Sequence, residues 1–269
     1  MAVLTYNFSR PGYIDIHCHC LPDIDDGPAT TAETLALCRA MVRDGISNAI
    51  ATPHQLGCFD NEPERIREQV HILNETLKQE SIPLVLLPGA DVRIDERICR
   101  LIREDKILTL ADGGKYLLLE LVDNVFIDIE PLLVELMSFG IQTIISHPER
   151  YSVLIKQPEV LFEWLSYSAH LQVTAGSLLG EFGPVSQRAA WNFIESGWVS
   201  IIATDAHNLR KRAPCMRTAY EAIKKQLGQE LARRLCIENP LRVIKGEDIP
   251  DIRQDMNTSV QVRSSKFIL

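Results

Sequence analysis

A chain of 269 residues with 46% hydrophobic and 24% charged residues has the balance of a soluble globular protein, which excludes a disordered chain. The net charge of −8 argues against a nucleic-acid binder, which needs a basic surface to displace counterions. It leaves an anionic substrate open, because bound metal ions reverse the local charge.

Residues 1–12 form an N-terminal extension with neither a basic segment nor a long apolar run, so no signal peptide is expected. Tyr13–His17 reads as the first strand, with His17 and His19 closing it. The acidic turn Asp23-Ile-Asp-Asp-Gly27 leads into a helix over Thr31–Asp44, where Thr31 and Thr34 make no capping box. Ser47–Ala51 is the second strand; His54 and a helix over Glu62–Gln79 follow. Leu84–Pro88 is the third, followed by Asp91 and a helix over Asp95–Glu104. Tyr116–Leu121 is the fourth, with Glu120 near its end. Asp128 or Glu130 with Pro131 then starts a helix over Asp128–Phe139. Gln142–Ser146 is the fifth, followed by His147 and a helix over Pro158–Ser168. Leu171–Thr174 is the sixth, with a helix over Pro184–Ser196. Ser200–Thr204 is the seventh, followed by Asp205, His207 and a helix over Arg217–Leu227. Gly45, Gly140 and Gly197 stand where a left-handed cap ends a helix before the next strand.

Several of these strands are continuous apolar runs, as expected for strands buried on both faces. Seven right-handed βα units predict an α/β fold, a distorted (β/α)7 TIM-like barrel, with an open doubly wound sheet as the alternative. A single catalytic domain is expected over 13–250, with a C-terminal tail over 251–269. No run of about eighteen apolar residues exists, so no membrane span is expected. The seven scattered cysteines fit a reducing cytoplasm better than a disulfide framework.

Five of the seven histidines fall at strand C-terminal ends; only His71 and His170 do not. In a parallel barrel those ends converge on one rim. His17 and His19, two apart on an extended segment, can point the same way, and Asp205 and His207 repeat the arrangement. Massed carboxylates without a cation would repel and take up protons. Imidazole with carboxylate suits zinc, manganese or iron, and so many candidate ligands exceed the needs of one ion. Such a centre can bind phosphoryl oxygens and lower the pKa of a bound water.

Each piece has a plainer reading: His-x-His and Asp-x-His are often structural, and Glu120 could be a buried ion pair with an arginine. The conjunction at successive strand ends is what packing alone does not supply. Arg150 and Arg212 carry guanidinium forks suited to phosphate, against the plainer reading of solvated charges, which suits Arg210 and Lys211 better. The acidic loop could supply a general acid, a partner for an imidazole or merely a turn; Asp26 is its catalytic candidate. A cysteine phosphatase is excluded, because no arginine follows His17-Cys18 or His19-Cys20 at the required spacing and thiolates would be poorly stabilised among carboxylates. Cys18 and Cys20 are expected to alternate into the barrel wall.

Ile14-Asp-Ile-His-Cys-His19, Asp23-Ile-Asp-Asp-Gly-Pro28, Thr52-Pro-His54, Gly89-Ala-Asp91, His147-Pro-Glu-Arg-Tyr151, Ser200-Ile-Ile-Ala-Thr-Asp-Ala-His-Asn208 and Glu238-Asn-Pro240 resemble the polymerase and histidinol phosphatase (PHP) superfamily. More narrowly, they resemble the bacterial PHP-type tyrosine-protein phosphatases of capsule and exopolysaccharide clusters. The resemblance implies a trinuclear centre, manganese foremost with iron or zinc as alternatives, held by His17, His19, His54, Asp91, Glu120, His147, Asp205 and His207. It implies that Arg150 and Arg212 hold the phosphate, and that the substrate is the phosphotyrosine tail of a membrane-associated tyrosine autokinase. The family usually has glutamate where this chain has Asp91, one methylene shorter, so a bridging role there needs a closer strand or a shifted metal. Thr174-Ala-Gly-Ser177 replaces a stretch richer in Asn and Ser.

The leading expectation is a cytoplasmic phosphotyrosine-protein phosphatase in which a metal-activated hydroxide attacks phosphorus. The alternatives are a hydrolase of a small phosphate monoester such as histidinol phosphate, and a regulatory domain without catalysis.

Overall fold

The computed structural model describes residues 12–250. The expected extension, Gly12 apart, and the tail from residue 251 lie outside them.

The apolar runs form strands, and all their pairings are parallel. In chain order these are β1 (Tyr13–Cys18), β2 (Ile46–Ala51), β3 (His54–Gln55), β4 (Val85–Pro88), β5 (Asp91–Arg93), β6 (Tyr116–Glu120), β7 (Gln142–Ser146), β8 (His170–Thr174) and β9 (Val199–Ala203). They fall into two sheets, β1-β2-β4 and β3-β5-β6-β7-β8-β9. The two are continuous: Ala51 pairs with Pro88, and three residues on in both segments His54 pairs with Asp91. So β2–β3 and β4–β5 are each one strand, interrupted at Thr52-Pro53 and Gly89-Ala90. Pro53 has no N–H to give a ladder. A Cβ on Gly89 would stand 2.6 Å from Cγ2 of Ile50, so the crossing there needs glycine.

The ring is drawn together at its C-terminal rim. Cys18 bridges Ala206, the Asp205 N–H donates to the His17 carbonyl at 2.8 Å, and the His19 N–H donates to the Ala206 carbonyl at 2.8 Å. The result is a distorted (β/α)7 barrel, and the meeting of first and last strands sets aside the open sheet. Each of the seven expected strands is present, with no end displaced by more than one residue.

The barrel interior is apolar low down, with Ile14, Ile16, Ile50, Leu118, Ile144 and Ile201, and Val243 and Ile249 of the C-terminal segment close it below. A second layer packs between strands and helices. Polar groups are thereby confined to the upper rim. On β1 the pairing moves from Asp15↔Ala49 to Cys18↔Ala51, three residues against two. This bulge inverts the alternation: Ile14 and Ile16 face inward below it, His17 and His19 face the centre above it, and Cys18 and Cys20 turn into the outer layer.

The helix over Thr31–Asp44 lies where expected, but its start has a feature the sequence reading overlooked. Thr30 is the cap, its hydroxyl accepting from the Glu33 N–H, while Glu33 reaches back to the Ala29 N–H. Gly45, Gly140 and Gly197 have φ of 97°, 74° and 71°, the left-handed caps anticipated. The expected helix over Asp95–Glu104 contracts to Ile98–Arg103. The short helices Ser152–Lys156 and Ala175–Leu178, and the run from Gln229 through Asn239–Lys245, were not anticipated. Among the described residues no helix is long and apolar enough to cross a membrane.

Candidate metal centre

All eight residues expected to hold metal meet at the rim. Their ligating atoms fall into four clusters, each within 4.8 Å: His19, Asp26, His54 and His207; His17, His19 and Asp205; His17, Asp91 and His147; and His54, Asp91 and Glu120. His17, His19, His54 and Asp91 each belong to two clusters, so the four form one centre. The shorter side chain of Asp91 still reaches both neighbouring clusters. Its Oδ2 lies 3.6 Å from His17 Nε2 and 3.5 Å from His54 Nδ1. Asp26, expected to be catalytic, stands among the candidate ligands, its Oδ1 3.1 Å from His207 Nε2 and 3.5 Å from His54 Nε2.

The donor set fits cations. Both carboxylate oxygens of Asp91, Nδ1 of His147 and Oδ1 of Asp205 are buried without a hydrogen-bond partner. An unsatisfied buried polar atom costs about 1–3 kcal/mol, more when charged, and cations in the adjoining clusters would satisfy these atoms. His147 and Asp205 also hold φ of 36° and 54°, left-handed values unusual for residues with a side chain. Such conformations cost on the order of 1–3 kcal/mol and cluster at functional sites.

Proton affinities report the same crowding. Burial pulls His17 down, but Asp205 and Asp91 override it and lift it to about 9. His54 is likewise depressed by burial and lifted to about 11 by Asp26, Asp91 and Glu120. Burial and the neighbouring His207 drive His19 down to about 3, and burial with Arg150 holds His147 well down. Burial pushes Asp91 and Asp205 up, yet both stay below the usual range because His17 lies beside them. A cation must displace the protons on His17 and His54. Uptake of divalent cations is therefore expected to release protons at neutral pH, and affinity to rise with pH through about 9, where His17 loses its proton, and on toward about 11, where His54 does. Calorimetric titration in buffers of differing ionisation enthalpy checks this; uptake with no proton release would contradict it.

Neighbouring side chains aim the imidazoles. His17 Nδ1 lies 2.8 Å from Gln172 Oε1, and His19 Nδ1 lies 2.7 Å from Asp25 Oδ2, which turns each Nε2 inward. Asp25 also accepts from the Gly27 and His54 N–H groups at 2.9 and 3.2 Å. Asp25→Ala is expected to weaken divalent-cation binding roughly 10- to 100-fold. Unchanged metal content after dialysis against a metal buffer would show that Asp25 orients nothing.

Two guanidinium groups converge on one oxygen. Asp205 Oδ2 accepts from Arg150 Nη1 at 2.8 Å and from Arg212 Nη2 at 2.6 Å, and Arg212 also lies 3.4 Å from Asp26. Arg210 and Lys211 are exposed, as expected.

Besides Gln172, the sequence reading missed four further supporting residues. Arg93 pairs with Glu120 Oε2 at 2.9 Å, so the ion pair first set against a metal role exists alongside the cluster. The signal was its place on β5 two residues after Asp91. The Tyr151 hydroxyl accepts from the Leu121 N–H at 3.0 Å while its ring packs on His147. Buried Glu149 accepts from the Thr174 N–H and the Ser177 hydroxyl, so the Thr174–Ser177 stretch anchors the turn that presents Arg150. Asp15, also buried, accepts from the Thr204 N–H at 2.9 Å and ties β1 to the end of β9. His71 and His170 lie away from the rim, on the helix Pro63–Gln79 and at the start of β8.

A parallel barrel with knitted clusters of imidazole and carboxylate at its strand ends, and two arginines beside them, defines a class: barrel proteins equipped to hold cations next to an anion. The family model described as capsular polysaccharide synthesis, CpsB/CapC, matches residues 13–245, and the chain belongs to that family. It is 36% identical over 238 residues to the tyrosine-protein phosphatase YwqE of Bacillus subtilis, covering 88% of this chain and 93% of that protein. It is 30% identical over 238 residues to the tyrosine-protein phosphatase CpsB of Streptococcus pneumoniae, covering 86% and 98%. A structure from work on YwqE and CpsB, described there as unique metal-dependent tyrosine phosphatases, superposes with a TM-score of 0.86 at 36% identity, over 89% of this chain and 97% of that one.

Proposed function

We propose that this chain is a metal-dependent tyrosine-protein phosphatase of capsular or exopolysaccharide synthesis. The observation that carries the reading is the juxtaposition of two arginines with the four clusters through the single carboxylate of Asp205. His17, His19, His54, Asp91, Glu120, His147, Asp205 and His207 would hold divalent cations, with Asp26 closing the outermost cluster. Three ions, manganese foremost, accord with the family resemblance. Bound there, they supply Lewis acidity toward phosphoryl oxygens and a water of lowered pKa.

The chain's own groups do the rest. Arg150 and Arg212 have N–H groups beyond those given to Asp205, and these orient a phosphoryl group in the rim. Gln172 and Asp25 hold the imidazoles in the tautomers that face inward. The proposed substrate is the phosphotyrosine tail of a membrane-associated tyrosine autokinase, reached from the cytoplasm.

No thiol takes part. Cys18 and Cys20 are buried, and Cys18 Sγ lies 3.8 Å from Cys20 Sγ and 3.4 Å from the Ile50 carbonyl, in the outer layer. Cys18→Ala and Cys20→Ala are expected to keep kcat/KM for a phosphotyrosine peptide within a few-fold, with chelation abolishing it. Inactive cysteine variants that retain metal and fold would refute direct attack by water. The decisive experiment measures turnover of a phosphotyrosine peptide against small aliphatic phosphates in manganese; preference for the aliphatic esters would favour the small-ester alternative.

A further inference from the structure

Cations and guanidinium groups recognise a phosphoryl group, which serine, threonine and small alcohols also carry. Selectivity for tyrosine requires something that reads the ring. Two phenylalanines stand at the centre, both half-buried, with apolar surface left among charges. Phe59 stacks on His54, ring centroids 5.5 Å apart and planes within 15°. Phe182 lies under Arg150, whose guanidinium carbon is 4.7 Å from the ring centroid. One ring belongs to the His54–Glu120 side of the centre, the other to the Arg150–Asp205 side.

Both are braced from behind. Phe59 is presented by a turn bridging Leu56 and Phe59, in which Leu56 and Gly57 both have φ of 69°. A Cβ on Gly57 would come 3.2 Å from Cγ of Arg93, so the turn lies on the side chain that pairs with Glu120. A Cβ on Gly176 would come 3.2 Å from Cε2 of Phe182, so that ring rests on the Thr174–Ser177 stretch. Rings braced this way lose little entropy when a third ring packs against them.

We infer that Phe59 and Phe182 flank an aryl-binding cleft that makes this centre selective for phenolic phosphate esters. The inference rests on the phosphatase reading above and adds what that reading leaves open, the part of the substrate beyond the phosphorus. Stacking and burial against each ring are expected to contribute roughly tenfold in affinity.

The test uses the full chain loaded with manganese. Phe59→Leu and Phe182→Leu keep apolar bulk and remove the ring face. For each, kcat and KM are measured on phenyl phosphate and on glycerol phosphate, with metal content measured alongside. The ratio of aryl to alkyl kcat/KM is expected to fall about tenfold in each variant, mostly through KM on the aryl ester, with Phe→Trp at either position restoring it. A ratio that stays constant while both esters fall would mean that the rings only brace His54 and Arg150, and overturns the inference. Calorimetric binding of phenylphosphonate against methylphosphonate separates the two readings. Tighter binding of the phenyl compound, lost in the leucine variants, supports the cleft even in a protein that hydrolyses neither ester. Equal binding of the two by the unsubstituted protein overturns the cleft even if hydrolysis is robust.

Discussion

Asp205→Ala is expected to lower kcat/KM for a phosphotyrosine peptide at least about a thousandfold, at several kcal/mol of lost charge stabilisation and tenfold per 1.36 kcal/mol. One carboxylate serves both halves of the centre. Its Oδ1 lies 3.2 Å from His17 Nε2, 3.5 Å from His19 Nε2 and 3.7 Å from His207 Nδ1. Its Oδ2 takes both arginines. Removing it deletes a candidate anionic ligand and frees two guanidinium groups from the carboxylate oxygen that both engage. Asp205→Asn keeps the shape and loses the charge, so it should lose metal nearly as fully. Elemental analysis alongside steady-state kinetics checks both variants. An alanine variant with full metal and near-normal turnover would remove Asp205 from the centre.

Arg150→Ala should separate from this. A roughly 100- to 1000-fold fall in kcat/KM is expected, comparable to removal of a preorganised donor at developing charge, while metal content holds. Arg150 is the better placed of the two arginines. Its side chain is 18% exposed against 26% for Arg212, and it is clamped between Asp205 and the ring of Phe182. Arg212→Ala should therefore cost less. Arg150→Lys should recover only part of the loss, because an ammonium cannot present two parallel donors to a phosphate. The two alanine effects should not add, since both arginines share one carboxylate oxygen. Full recovery by lysine would show that Arg150 contributes charge alone.

Much of the candidate site was legible in the chain. Apolar runs of four to six residues, six of the seven with histidine or a carboxylate at or within three residues of their ends, can be read without coordinates, because strand burial and strand-end placement are properties of local pattern. The companion residues were harder. Asp25, Gln172 and Arg93 touch His19, His17 and Glu120 through contacts between elements, except for the short span from His19 to Asp25. The C-terminal plug was missed because Val243 and Ile249 matter only once a barrel exists for them to close.

By itself the sequence determined which residues are available: eight candidate ligands at strand ends, two arginines, and cysteines at positions unsuited to phosphoryl transfer. Tertiary structure decided which atoms meet. The bulge at the top of β1 swings His17 and His19 inward and the cysteines out, and the interruption of β4–β5 brings the short side chain of Asp91 within reach of two clusters. Both depend on register against a neighbouring strand, and register is set by long-range pairing that no single segment encodes.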